Sequence, residues 1–220
     1  MKYLEVPALD AINKALSFDT TECKVVGRVE AYSCKSAGAD KKVYKYLENK
    51  YLDEMAHSTS PEDHFKNIVS PFGPMNEANS RKTLFYLIAT LNAAYPDHDF
   101  TDVKPDHFSK QPSVALVTNS VTNTLFNLGH EQIVRDMRIW EVVDETINLE
   151  ESDVYSYNNN DLDPNSDGAI WSQNFIFFNK KLKRIVFFTL RGMRHGVIAQ
   201  DDIPAMESEN EDYVVGDIEV

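Results

Sequence analysis

The 220 residues are 42% hydrophobic and 11% aromatic, enough for one sizeable core and not two, so a single domain is expected. The formal net charge is −13, and residues 201–220 hold eight acids with no Lys or Arg, which leaves −5 for the remainder. That balance disfavours nucleic acid, whose affinity for proteins comes largely from Lys and Arg neutralising phosphates, and suits a basic protein surface instead.

Leu9, Ile12 and Leu16 mark a short helix over residues 8–16. Val25, Gly27, Val29 and Ala31 then alternate with Lys24, Arg28 and Glu30, the pattern of a strand with one wet face. Asp40 stands where an N-cap would precede a helix carrying Val43, Leu47, Tyr51 and Met55. From about 57 to 79 the pattern gives way to Ser, Thr, Pro, Asp and Gly, which predicts a mobile linker within the domain.

Between Ser80 and Phe100 the spacing of Leu84, Leu87, Ile88, Leu91 and Tyr95 predicts an amphipathic helix, with Ser80 as N-cap and Pro96 as stop. Arg81 and Lys82 occupy its first turn, against the positive end of the helix dipole, at a cost of roughly 0.3 to 1 kcal/mol each if exposed. A local rule broken in this way points to functional surface. Two further helices are expected: one on Val114, Val117, Val121 and Leu125 ending near Gly129, and one on Ile133, Met137, Trp140 and Ile147.

The last third turns to strands. Val154–Tyr157 is short, and Ile170–Phe178 and Leu182–Leu190 flank Asn179-Lys180-Lys181 as a hairpin with a basic tip. Ile185, Val186, Phe187, Phe188 and Leu190 leave little polar alternation, so both faces of the last strand should be covered. The expected fold is α+β: a mainly antiparallel β-sheet with helices packed around it, in one globular domain over 1–195, followed by an acidic, disordered tail over 196–220.

No apolar run approaches the ~20 residues that span a bilayer, and the N-terminal residues lack a signal-peptide pattern, so no membrane association is expected. Cys23 and Cys34 are read as reduced thiols, without a zinc motif. HExxH, GxSxG, GxxxxGK[ST] and GxGxxG are all missing, and the adjacent Asp97, His98 and Asp99 read as an acidic turn rather than a metal or acid-base cluster. No catalytic, cofactor-binding or metal-ligating residues are therefore expected.

Three boxes carry a resemblance. The first runs from Met1-Lys-Tyr-Leu-Glu5 through Leu16-Ser-Phe-Asp-Thr20 and Val26-Gly-Arg-Val-Glu30 to Tyr32–Lys42; the second is Pro71-Phe-Gly-Pro74 with Ser80–Phe100; the third is Trp171–Phe188. Together they resemble the Maf-type global repressors of RNA polymerase III. The resemblance implies a nuclear repressor, shuttling between nucleus and cytoplasm, that binds the clamp region of the polymerase and blocks its association with the initiation factor TFIIIB. The Brf subunit of TFIIIB, regulatory kinases and phosphatases, and import receptors are implied as further partners. Relatives often carry long phosphorylated insertions between the first two boxes, where this chain is short.

The expected partner-binding residues are Lys35, Arg81, Lys82, Asp97 and Asp99, with Lys35 of the first box pairing with Asp97 or Asp99 of the second. Lys180, Lys181, Lys183 and Arg184 form the densest basic cluster and match the family's nuclear localisation signal. Ser60 and Ser70, each before Pro, and Ser208 in the acidic tail are the phosphorylation candidates. Two other classes remain open: a generic acidic nuclear adaptor, and a small hydrolase or transferase with a dispersed site.

Overall fold

A computed structural model describes residues 1–35, 38–57, 70–158, 164 and 168–195. The expected tail, Ser60, Ser208, most of the expected linker and the side chain of Met55 lie outside the described residues.

The strands are β1 (Lys2–Leu4), β2 (Phe18–Asp19), β3 (Lys24–Ser33), β4 (Phe108–Lys110), β5 (Asp153–Tyr157), β6 (Ala169–Asn179) and β7 (Arg184–Met193). They form one seven-stranded sheet in the order β1-β3-β7-β6-β5-β4, with β2 also paired to β3, and every described pairing is antiparallel. The helices are α1 (Pro7–Ala15), α2 (Gly38–His57), α3 (Ala78–Ala94), α4 (Val114–Asn127), α5 (Gln132–Arg135) and α6 (Ile139–Ile147). The α+β expectation holds, and helices cover both faces of the sheet.

Alternation along β7 decides which side chain meets which layer. Ile185 and Phe187 pack toward α2 and α3, with Leu84, Leu87, Ile88 and Leu91 opposite; Val186, Phe188 and Leu190 pack toward α1, α4 and α6, with Ile12, Val121 and Val143 opposite. The lack of polar alternation in β7 is thus the signature of a strand in the middle layer of three. Full burial of each large apolar side chain contributes about 1.5 to 3 kcal/mol, so β7 and its neighbours dominate the stability. Close approach at two points requires glycine: a Cβ on Gly27 would lie 2.6 Å from Leu190 Cδ1, and one on Gly192 would lie 2.4 Å from the Trp171 indole.

Several local expectations are corrected by packing. Ser80 is not the N-cap of α3. The helix begins earlier, at Ala78, and Ser80 is buried, donating its hydroxyl to the carbonyl of Phe72 at 3.3 Å. Asp40 lies inside α2, where it accepts from the Met1 ammonium. The helix expected over 133–147 is two, α5 and α6, broken at Arg138 with φ of +53°. Leu182 sits in the β6–β7 connection, not in a strand, because the buried side chain of Asn179 claims that turn. Its amide oxygen accepts from the Leu182 N–H at 2.9 Å, and its amide NH2 donates to the carbonyl of Ile147 at 2.9 Å.

Residues 70–75, part of the expected linker, are packed. Phe72 meets the rings of Phe108 and Tyr155, and Met75 is buried. The edge strands β1, β2 and β4 gave too little alternation to be anticipated, being two or three residues long. By contrast α4 ends near Gly129, which follows it at φ of +76°, as the spacing predicts, and Ser113 caps its start, accepting from the Leu116 N–H at 3.2 Å.

Candidate partner-binding surfaces

α3 crosses the sheet and separates two charged surfaces, and its own sequence explains why it can. Beyond the expected stripe, Phe85, Ala89, Thr90 and Ala94 are also buried, because α2 covers the side that the sheet does not. Only its ends are left for charge.

At the N-terminal end, the two cations of the first turn part company. Arg81 is buried, donating to the carbonyls of Met75 at 3.0 Å and Asn76 at 2.8 Å, with Glu48 of α2 at 3.9 Å. It ties the loop that enters α3, so its unfavourable place on the dipole is offset by hydrogen bonds and it is not a surface residue. Lys82 is exposed. It lies on a cavity of about 320 Å³ lined also by Phe72, Tyr86, Phe178, Lys180 and Lys183.

Lys35 belongs to the same end, because the Cys34 N–H donates to the carbonyl of Lys183 at 2.9 Å. The buried thiol of Cys34 is pushed up to about 12 by desolvation, although the Met1 ammonium, Lys183 and Lys82 pull it down. Residues read separately as partner contacts and as an import signal therefore share one basic surface.

The rest of the lysine cluster is partly engaged. Lys180 pairs with Asp153 at 3.0 Å and Lys181 with Glu151 at 2.7 Å, while Arg184 donates to the carbonyl of Thr146 at 2.9 Å. Burial raises the Asp153 pKa, but hydrogen bonds from Lys110 and Lys180 outweigh it and hold the carboxyl below its ordinary value.

The C-terminal end of α3 is acidic. Asp97 and Asp99 are exposed in the turn after Tyr95, and Asp102 and Asp106 follow on the same stretch. Asp99 accepts from the hydroxyl and the N–H of Thr101, which lowers its pKa. Lys35 does not reach this turn. Ser33 faces Arg184 across the sheet and Arg28 faces Thr189, which puts Lys35 on the order of 20 Å along the strand direction from the C-terminal end of α3.

The first box docks on the second through Arg28 instead. Its guanidinium donates to the Ala94 carbonyl at 2.8 Å, stacks over the Tyr95 ring at 4.5 Å and pairs with Glu30 at 3.6 Å. The side of β3 expected to be wet is therefore partly covered, with Lys24, Arg28 and Glu30 half-buried, and Arg28 is the residue that the alternation concealed. Nothing in its spacing distinguishes it from a solvated strand cation.

Ser70 opens a tight turn. Its hydroxyl donates to the Gly73 carbonyl and accepts from the Phe72 N–H, fixing the segment that seats Phe72. Among the described residues no group of three or more His, Cys, Asp or Glu side chains could hold a metal ion, and no helix is long and apolar enough to cross a membrane.

Comparison with known proteins gives a consistent answer. The family model of the Maf1 regulator matches residues 25–189. A repressor of RNA polymerase III transcription, maf1, from Schizosaccharomyces pombe is 44% identical over 199 residues, covering 88% of this chain and 83% of that protein. A repressor of RNA polymerase III transcription from Dictyostelium discoideum is 33% identical, covering 92% and 88%. A crystal structure of citrus MAF1 superposes with a TM-score of 0.65 at 32% identity, covering 88% of this chain and all of that one. The family model takes in nearly all of β3, the helices α2 to α6 and most of β7, which are most of the elements that build the two cores and those that carry both charged surfaces, and the chain belongs to the Maf1 regulator family.

Proposed function

We propose that this protein represses transcription by RNA polymerase III, binding the enzyme at its clamp region and keeping it from promoter-bound TFIIIB, with the Brf subunit as a further contact. The observation that carries the reading is the 44% identity, over nearly nine tenths of the chain, to a protein named as a repressor of that polymerase. A binding role also suits two charged surfaces mounted on a rigid three-layer core, with Lys35 and Lys82 on one and Asp97 and Asp99 on the other. Repression by occupancy needs surface and affinity rather than a catalytic centre.

The test is direct. Purified protein and purified RNA polymerase III should co-migrate on gel filtration at low ionic strength, and the complex should lose recruitment to a TFIIIB-bound promoter. Independent migration of the two components, or unchanged recruitment, would sink the reading.

Control by phosphorylation has a physical route at Ser70. A phosphate would remove the hydroxyl donor that closes the turn onto Gly73 and add about −1.5 to −2 charge beside Phe72, Phe108 and Tyr155. We assign kinases and phosphatases to this switch. Lys180, Lys181 and Lys183 are exposed on the folded body, and as the import signal they let the protein shuttle between cytoplasm and nucleus in this reading. If Ser70→Glu left repression unchanged and the four-residue change of Lys180, Lys181, Lys183 and Arg184 to Ala left nuclear entry unchanged, both assignments would fall.

A further inference from the structure

Lys82 comes from the first turn of α3 and Lys180 and Lys183 from the β6–β7 connection, yet all three line one cavity. Phe72, Tyr86 and Phe178 form the aromatic part of its wall, Asn79, Ser80 and Thr83 a polar part, and the one acid on its lining is Glu77. Lys180 shares its charge with Asp153. Among the described residues no ion pair is made by Lys82 or Lys183, and both act on the buried Cys34 thiol from this side. A chain of net charge −13 that gathers free cations around an aromatic recess presents a site for an acidic ligand with apolar side chains beside its carboxylates.

The chain itself contains such a segment: Glu207, Glu209, Glu211 and Asp212 are followed directly by Tyr213, Val214 and Val215. The length is sufficient. β7 runs from Arg184 at the cavity end to Met193 at the opposite end, a path of about 30 Å at strand spacing. Residues 196–207, extended, span about 40 Å, so the acids from Glu207 onward can return to the lysines. The other segment near the cavity in sequence, 58–69, sets only Glu62 and Asp63 against Lys66. Charge favours the C-terminal one.

We propose that Glu207–Asp212, with Tyr213–Val215 behind it, folds back in cis onto the cavity rimmed by Lys82, Lys180 and Lys183. The contact screens the lysines of the β6–β7 connection, so an acidic partner or an import receptor must displace the tail to reach them. It is independent of the polymerase reading, because it is a property of the isolated chain.

The test uses the full-length protein and a zero-length carbodiimide, which joins carboxylates to lysine amines already in contact. Mass spectrometry of the monomer band should place the tail acids on Lys82, Lys180 and Lys183 about tenfold more often than on the exposed Lys14 and Lys104, reflecting the raised effective concentration of a tethered contact. The preference should vanish in 1 M salt, where the screening length falls to about 3 Å. Links spread evenly over surface lysines, or confined to a dimer band, would overturn the proposal. A second readout is the amide spectrum of isotopically labelled full-length protein. Lys82→Glu with Lys183→Glu should shift the resonances of 207–215, and unchanged tail resonances in that variant would overturn it equally.

Discussion

The two ends of α3 solve the same problem, a polar terminus lodged between sheet and helix, with opposite means. At the N-terminal end a buried Arg81 holds two loop carbonyls while its neighbour Lys82 faces solvent and joins other lysines. At the C-terminal end an arginine from a different element, Arg28 of β3, covers the last carbonyl and the Tyr95 ring, and the outward charges are acids. Adjacent residues of one charge type can therefore have different duties. In both places a cation tied to backbone carbonyl oxygen organises the chain and the exposed charges remain for recognition.

The largest expected effect breaks the C-terminal end. Tyr95→Ala removes a ring packed on Phe100 and Phe187 beneath Arg28 and should cost about 3 to 5 kcal/mol in urea denaturation. Next comes the contrast at the N-terminal end. Arg81→Met leaves the Met75 and Asn76 carbonyls without their donor and should cost about 3 kcal/mol, whereas Lys82→Met should stay within about 0.5 kcal/mol. Equal losses for the two variants would show that the division between organising and exposed cations is wrong.

Asp153→Asn sharpens the picture of the basic end, since it releases Lys110 and Lys180, and should cost about 1 kcal/mol at neutral pH. The folded-state pKa of Asp153 is depressed, so its contribution is present above the ordinary carboxylate pKa and lost as pH falls through the lower folded value. Wild type and variant should converge in acid, which thermal melts at a series of pH values will measure. The smallest effect is kinetic. The Cys34 thiol, buried and pushed up to about 12, should resist iodoacetamide at pH 8 in the native protein and react on unfolding.

Local periodicity made the long elements legible. β3, α3 and α4 stand close to where the spacing of apolar residues places them, because a 3.6 or 2.0 residue repeat is imposed by backbone geometry, while β6 and β7 are legible as long β-branched and aromatic runs flanking a turn. The short edge strands and the break at Arg138 carry no comparable signal.

Among site residues, sequence alone singled out Lys35, Lys82, Lys180 and Lys183 as charges needing an explanation. It grouped Lys180 with Lys183 but did not bring Lys35 and Lys82 to them, and it placed Lys35 with Asp97 or Asp99, on the wrong end of α3. Whether a charge is a tie or a contact depends on what lies across the sheet or under the next helix. Arg28 and Arg81 differ from exposed cations only in the carbonyls and rings that residues distant in sequence bring to them. Periodicity along the chain sets which way a side chain points; burial and partners come from elements that meet only when both faces of the sheet are closed.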